Sequence, residues 1–276
     1  MNTYDTRHSG SRTALAACLV TALLGIACAQ AEHEGASEHA DVVHWDYEGQ
    51  EGPAHWAELN PAWAACGDGV EQSPVDLGGA VEGSGATLRT DYGTGTLSIA
   101  RNAHVVDFLD NGHTIQVTYD RGSTVAVGDL EFELVQFHFH APSEHTVDGR
   151  HYPIEMHLVH RSEDGELTVI GVFIEEGEHH PAFEALIDGL PSEVGEERHF
   201  EEVELDVDAF MPSQDRFYRY EGSLTTPPCT EGVHWAVMAQ TVRASAQQIA
   251  ALDAAMPENN RPVQHLGSRE VVLISR

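Results

Sequence analysis

Runs of strand length in which apolar and polar residues alternate recur along most of this chain, and they restrict it to a sheet-based fold. The clearest cover residues 96–100, 105–109, 114–119, 131–139, 154–159, 167–174, 233–241 and 271–274. A period of two sends successive side chains to opposite faces, so each run can bury one face. Turn signals stand between the runs, among them Asp110-Asn111-Gly112 and Asp148-Gly149. Helical pattern is confined to 181–187 and 244–255, the second opening with Ser245 as an N-cap. The chain has 276 residues, 41% of them hydrophobic, with no long linker after His44 and no internal repeat. It is expected to be a mainly β (α+β) single domain with peripheral short helices. Strand order is not legible in these patterns.

Residues 1–29 read as a secretory leader outside the fold. Arg7 and Arg12 precede an apolar run over 13–27, and Ala27-Cys28-Ala29 supplies small residues at a cleavage point. That run is roughly 15 residues, short of the about 20 that a membrane span needs. Cys28 offers a competing end for the leader, as the acylated residue of a lipoprotein. Residues 30–43 are polar and acidic without a hydrophobic period and read as a flexible arm, which leaves 44–276 as the folded domain. Acidic residues number 45 against 14 basic ones, every one of them Arg, for a net charge of −31. Such a surface repels nucleic acid and anionic membranes. It suits a highly soluble exported protein, or one adapted to high salt, where acidic surfaces stay solvated.

Beyond the leader only Cys66 and Cys229 remain. An even pair in an exported protein reads as a disulfide, against the alternative of two buried thiols. A bridge would close 229 − 66 = 163 positions, worth up to about 5 kcal/mol through loop-closure entropy.

In Gln136-Phe137-His138-Phe139-His140, alternation puts Gln136, His138 and His140 on one face and the two phenylalanines on the other. Glu155, His157 and Val159 share a face of the next run, opposite Met156 and Leu158. Asp148-Gly149 lies between the two runs, so antiparallel pairing would gather His138, His140 and His157. Three neutral imidazoles without an evident fourth ligand are the composition of a catalytic zinc site with an open position. Gln136 and Glu155 stand two residues before His138 and His157, placed to accept the outer N–H of a ligand imidazole.

The sequence resembles the α-class carbonic anhydrases from about His44 to its end. The resemblance rests on His44-Trp45-Asp46-Tyr47, Gln72-Ser73-Pro74-Val75-Asp76, Asn111-Gly112-His113, Gln136 to His140, Ser143-Glu144-His145, Glu155 to His160 and Gly222-Ser223-Leu224-Thr225-Thr226-Pro227-Pro228. It implies a large, mostly antiparallel twisted sheet with one zinc at the base of a conical cleft, in a bacterial protein of the periplasm or medium. It further implies reversible hydration of CO2 to bicarbonate and a proton by zinc-bound hydroxide, with His138, His140 and His157 as ligands. Thr225 resembles the residue that accepts a hydrogen bond from that hydroxide and donates to Glu144, and its backbone N–H suits a CO2 oxygen. His113 matches the proton shuttle, read as an exposed imidazole titrating near pH 6.5. Tyr47, Asn111 and Gln116 resemble polar residues that order the intervening waters. Val159, Val169, Leu224, Val233 and Trp235, with Thr225 and Thr226, match the surface that receives CO2. The Cys66–Cys229 pair resembles the bridge of exported members, tethering the loop after Thr225 and Thr226.

His145 and His160 match structural positions, and His179-His180, His33 and His39 read as solvated. The main rival reading is a catalytically silent binding module of the same family, which the retention of all three histidines opposes. A zinc esterase or a zinc-binding protein without catalysis are the others. The sequence leaves monomer and homodimer equally open.

Overall fold

Backbone pairing joins thirteen strands into one mixed sheet in a computed structural model that describes residues 43–84, 88–91, 94–100, 113–119, 122–128, 130–190, 197–213 and 216–275. The leader, the arm as far as residue 42, the run 105–109 and Asp110-Asn111-Gly112 lie outside the described residues. In chain order the strands are β1 Val81–Gly83, β2 Leu88–Asp91, β3 Thr94–Ala100, β4 Gln116–Tyr119, β5 Thr124–Val127, β6 Leu130–His140 and β7 Ile154–Arg161. There follow β8 Leu167–Glu176, β9 Glu197–Asp206, β10 Phe217–Ser223, β11 Glu231–Met238, β12 Val242–Ala244 and β13 Val272–Ile274. The spatial order is β1-β13-β10-β11-β8-β7-β6-β4-β3-β9, with β12 on β8 and the β2–β5 pair on β6. Pairing is antiparallel except at β1–β13, β8–β11 and β8–β12, as the expected mostly antiparallel sheet requires.

The central strands are covered on both faces: β7 is buried from Ile154 to His160. Their Val, Ile and aromatic content suits a pleated surface packed from both sides. Alternation then sorts the side chains. Phe137, Phe139, Met156, Leu158, Ile170 and Val172 enter one core together with Phe183, Leu186 and Leu252. Those last three come from the helices α3 Pro181–Asp188 and α4 Ala246–Ala254, which follow two single turns, α1 Trp56–Leu59 and α2 Ala65–Asp68. Ser245 caps α4 as expected: its Oγ accepts the Gln248 N–H at 3.3 Å while Gln248 Oε1 accepts the Ser245 N–H at 3.1 Å. Gln248 also brackets the His180 backbone, through bonds of 3.0 and 2.8 Å, and so pins α3 to α4. On the other face Val159, Val169, Leu224, Val233, Trp235 and Val237 form a second cluster.

Trp45, Trp56 and Trp63 pack with a Cys66–Cys229 disulfide in a third cluster. Arg261, 1% exposed, threads the same region. Its Nη1 donates to Gln72 Oε1 at 2.9 Å and Ser73 O at 2.8 Å, its Nη2 to Cys66 O at 3.1 Å, and it lies over the Trp56 ring. Desolvation lowers its pKa to about 10, with Glu144 and Tyr47 opposing, so the guanidinium stays charged at neutral pH. Among the described residues, no helix is long and apolar enough to cross a membrane.

The buried His160 on β7 makes the fold sensitive to acid. Desolvation depresses its pKa from 6.5 to about 3, only partly offset by its bonds to the Leu158 and Thr168 backbone. The unfolded chain binds a proton below about pH 6.5 that the folded chain refuses until about 3. Stability is therefore intact above 6.5 and declines at up to about 1.4 kcal/mol per pH unit as pH falls through that window. Urea unfolding at pH 7 and pH 5 is expected to show a smaller pH loss in His160→Gln than in the parent, by up to about 2 kcal/mol. Equal losses would show that His160 does not stay neutral in the fold.

Candidate metal centre

Register brings the three histidines together. His138 on β6 stands directly across from His157 on β7, and His140 is across from Glu155. A register shift between Leu134 and Gln136 leaves Val135 as an extra residue in β6. That bulge sets which face residues 136–140 present, because a slip of one position would turn every side chain over. Ring centroids lie 5.0 Å apart for His138 and His140, 5.3 Å for His138 and His157, and 4.6 Å for His140 and His157. One nitrogen from each falls within 4.8 Å of the others, and all three residues are buried.

Each imidazole is held by its outer nitrogen. His138 Nδ1 donates to Gln136 Oε1 at 2.9 Å, His140 Nδ1 to the Asn259 carbonyl at 2.7 Å, and His157 Nε2 to Glu155 Oε1 at 2.9 Å. These bonds fix the tautomers, so Nε2 of His138, Nε2 of His140 and Nδ1 of His157 are the nitrogens that could hold a metal. Gln136 and Glu155 were legible by spacing; Asn259, distant in sequence, was not. His140 Nε2 is fully buried and makes no hydrogen bond. Desolvation lowers the pKa of His140 and His157 adds to it, against Glu144, the Asn259 carbonyl and Glu155, which keeps the ring neutral. An orphaned neutral imidazole nitrogen facing two others is what a divalent metal completes.

Glu155 is the hub behind this face. Its Oε2 accepts the backbone N–H groups of Glu144 and His145, both at 2.9 Å, and its Oε1 accepts His145 Nδ1 at 2.7 Å besides His157. Desolvation pushes its pKa up, but the neighbouring His145 and His157, whose ring N–H groups donate to it, hold it well below the usual carboxylate value. His145 Nε2 is 2.6 Å from the Tyr220 hydroxyl, itself 2.9 Å from Ser73 Oγ. His145 therefore sits in a hydrogen-bonded chain. Gly171 on β8, opposite His157, makes room for the hub, since a Cβ there would meet Glu155 Oε1 at 2.9 Å and Val237 at 3.2 Å.

Glu144 is fully buried, its Oε1 accepting the Arg261 backbone N–H at 2.9 Å. Its Oε2 has no hydrogen-bond partner and lies 3.6 Å from His140 Nε2 and 3.9 Å from His157 Nδ1. The expected Thr225-to-Glu144 hydrogen bond is thus not formed here. Anchoring of Oε1 by Arg261 leaves Oε2 turned to the imidazoles. Thr225 and Thr226 are buried in the loop after β10, which closes through Leu224 N–H to Thr230 O at 3.0 Å and Cys229 N–H to Thr226 O at 2.8 Å. The disulfide ends on that loop. Val159, Val169, Leu224, Val233 and Trp235 converge in one cluster, and Trp235 Nε1 donates to Ser223 O at 3.0 Å.

His113 departs from the sequence expectation. It is 6% exposed, not a surface imidazole. Its Nε2 donates to the Trp45 carbonyl at 2.9 Å and its ring stacks on Trp45, 4.6 Å between centroids. Desolvation lowers its pKa, against the Trp45 carbonyl and Asp46. The reason is tertiary: the segment carrying Trp45 and Tyr47 folds over it. Tyr47 packs edge-on against His113, 5.5 Å away. Gln116 is buried opposite His138 with its Nε2 3.4 Å from Thr118 Oγ1, and Asn111 lies outside the described residues.

A large mixed sheet carrying a buried trio of imidazoles, each oriented by an acceptor, is a scaffold that could hold a divalent metal. Residues 51–275 match the model of the eukaryotic-type carbonic anhydrases, and the chain belongs to that family. A carbonic anhydrase of Nostoc sp. is 43% identical over 235 residues, covering 84% of this chain and 87% of the relative. The α-carbonic anhydrase of Thermovibrio ammonificans, solved with the inhibitor sulfanilamide, superposes with a TM-score of 0.78 at 40% identity, over 84% of this chain and 99% of that one. A hyperthermostable carbonic anhydrase from a hydrothermal vent chimney gives 0.77 at 42%, over 84% and 100%.

Gly171→Ala is expected to displace the Glu155 carboxylate and loosen His157. Competition with a chelator should then show divalent-metal affinity lowered by about 10- to 100-fold. Unchanged affinity would show that Glu155 does not orient His157.

Proposed function

We propose that this protein catalyses the reversible hydration of CO2 to bicarbonate and a proton, with zinc held by His138, His140 and His157. The observation that carries the reading is the buried, unbonded His140 Nε2 facing two imidazoles whose outer nitrogens are committed to acceptors. Zinc on three neutral imidazoles supplies a Lewis acid that makes water nucleophilic near neutral pH.

The chain's own residues do the rest. Val159, Val169, Leu224, Val233 and Trp235 offer a small apolar substrate a dry wall and exclude competing water. Thr225 and Thr226 place hydroxyl and amide groups beside that wall, where a CO2 oxygen can be polarised. Glu144 Oε2, left without a hydrogen-bond partner, is the acceptor that a rotated Thr225 hydroxyl would reach in the working site, and a donor chain ending on a carboxylate would fix the direction of attack. His113 takes up the proton released in each turnover, with Tyr47, Asn111 and Gln116 ordering the water between. Residues 1–29 serve as a leader, cleaved before a 30–43 arm and the 44–276 domain, for export to the periplasm or medium; acylation at Cys28 is the competing end. A silent binding module would have no use for the Gln136, Asn259 and Glu155 acceptors that orient each ring.

Elemental analysis of the purified protein is expected to give one zinc per chain. Stopped-flow CO2 hydration should fall to background on chelation, return with added zinc, and stay at background in His140→Ala. Equal rates with and without metal would overturn the reading.

A further inference from the structure

We propose that Gln72 is a positioning residue for the reaction: its buried amide sets Thr225 against Glu144 by joining the loop that bears one to the residue that anchors the other. The inference rests on CO2 hydration as proposed above. Gln72 is 4% exposed, and its side chain is bonded on both sides. Oε1 accepts Arg261 Nη1 at 2.9 Å, while Nε2 donates to the Cys229 carbonyl and to Glu231 Oε1, both at 3.0 Å. A guanidinium only donates, and a carbonyl or carboxylate only accepts, so the amide has one orientation.

Each partner leads to the site by a short path. Arg261 takes Gln72 with its side chain and Glu144 Oε1 with its backbone N–H, both at 2.9 Å. Cys229 closes the other side: its N–H donates to Thr226 O at 2.8 Å while its carbonyl takes the Gln72 bond. Its φ is +56°, left-handed for a residue with a Cβ, a conformation that persists only where surrounding contacts hold it. The disulfide holds Cys229 by its side chain; Gln72 holds the peptide plane that follows. Glu231 stays an ionised acceptor. Desolvation raises its pKa, but bonds from Gln72 and from the Glu71 and Val70 N–H groups, with Arg269 nearby, bring it below the usual carboxylate value. Gly69 reserves the space. Its φ of −62° would accept any residue, yet a Cβ there would run into Gln72 Nε2, Glu231 Oε1 at 2.6 Å and the Ala65 carbonyl at 2.5 Å.

The test uses the zinc-loaded full chain as Gln72→Met, Gln72→Glu, Thr225→Val and the Gln72→Met/Thr225→Val pair. Methionine keeps the shape without the hydrogen bonds. Glutamate keeps the acceptor for Arg261 and loses both donors, so it serves if the methionine variant does not fold. With one zinc per chain verified in each, kcat/KM for CO2 hydration is expected to fall about 10-fold or more in either Gln72 variant, since misplacement by about 1 Å can cost about 100-fold. A residue that only stabilised the fold would lower the urea midpoint and leave kcat/KM per zinc-loaded chain unchanged. In the Thr225→Val background the Gln72→Met loss should largely vanish, because both changes remove the same alignment. Amide hydrogen exchange at Leu224 and Cys229, which close the loop, should quicken in Gln72→Met. Unchanged kcat/KM in the Gln72 variants, unaltered exchange at both amides, or losses that multiply in the pair would overturn the role of Gln72 alone. If the zinc-loaded parent hydrates no CO2, the proposed function fails and the role of Gln72 with it.

Discussion

The arrangement depends on one buried carboxylate. Glu155 lies at the centre of the sheet with no access to water, where an unpaired charge would cost several kcal/mol. Four N–H donors meet its two oxygens, and bonds to a charged acceptor contribute about 1.5–3 kcal/mol each. The donors come from His157, from both the ring and the backbone of His145, and from the backbone of Glu144. One side chain therefore sets the tautomer of one of the three gathered imidazoles and the position of the carboxylate proposed to direct attack. Its own place depends on β8 having glycine at 171.

A second buried charge ties the same region to the amino-terminal segment. Arg261 reaches the Cys66 carbonyl through its side chain and Glu144 through its backbone N–H. The disulfide joins the helix turn bearing Cys66 to the loop bearing Thr225 and Thr226. Glu144 and that loop are thus braced from one packet, built on Trp45, Trp56 and Trp63. The packet also covers His113.

Alternation carried a great deal by itself. It marked the strands of the centre, divided Phe137 and Phe139 from His138 and His140, and placed Gln136 and Glu155 behind their histidines. It did so because a buried strand has two faces with different demands and a strict period of two. β9 escaped it, since an edge strand written Glu-Arg-His-Phe-Glu-Glu-Val-Glu-Leu-Asp shows no apolar rhythm. The short β1, β2 and β5, and the aromatic β10, escaped it as well. Ser245 was legible as a cap because capping is local; Gln248 bridging to His180 was not, because that contact joins two helices.

From the sequence alone came a sheet protein with three histidines positioned for a metal, a paired cysteine framework and a strongly acidic surface. Register, bulge and long-range approach belonged to the tertiary structure. The extra residue at Val135 decides which side chains oppose each other. Asn259 reaches His140 from 119 positions away. The Arg261 backbone anchors one oxygen of Glu144 and leaves the other beside the imidazoles. His113, which the sequence presented as a surface turn residue, is buried because a segment nearly seventy positions earlier folds across it. Local rules fix which face a side chain takes, but contacts between distant segments fix what that face meets.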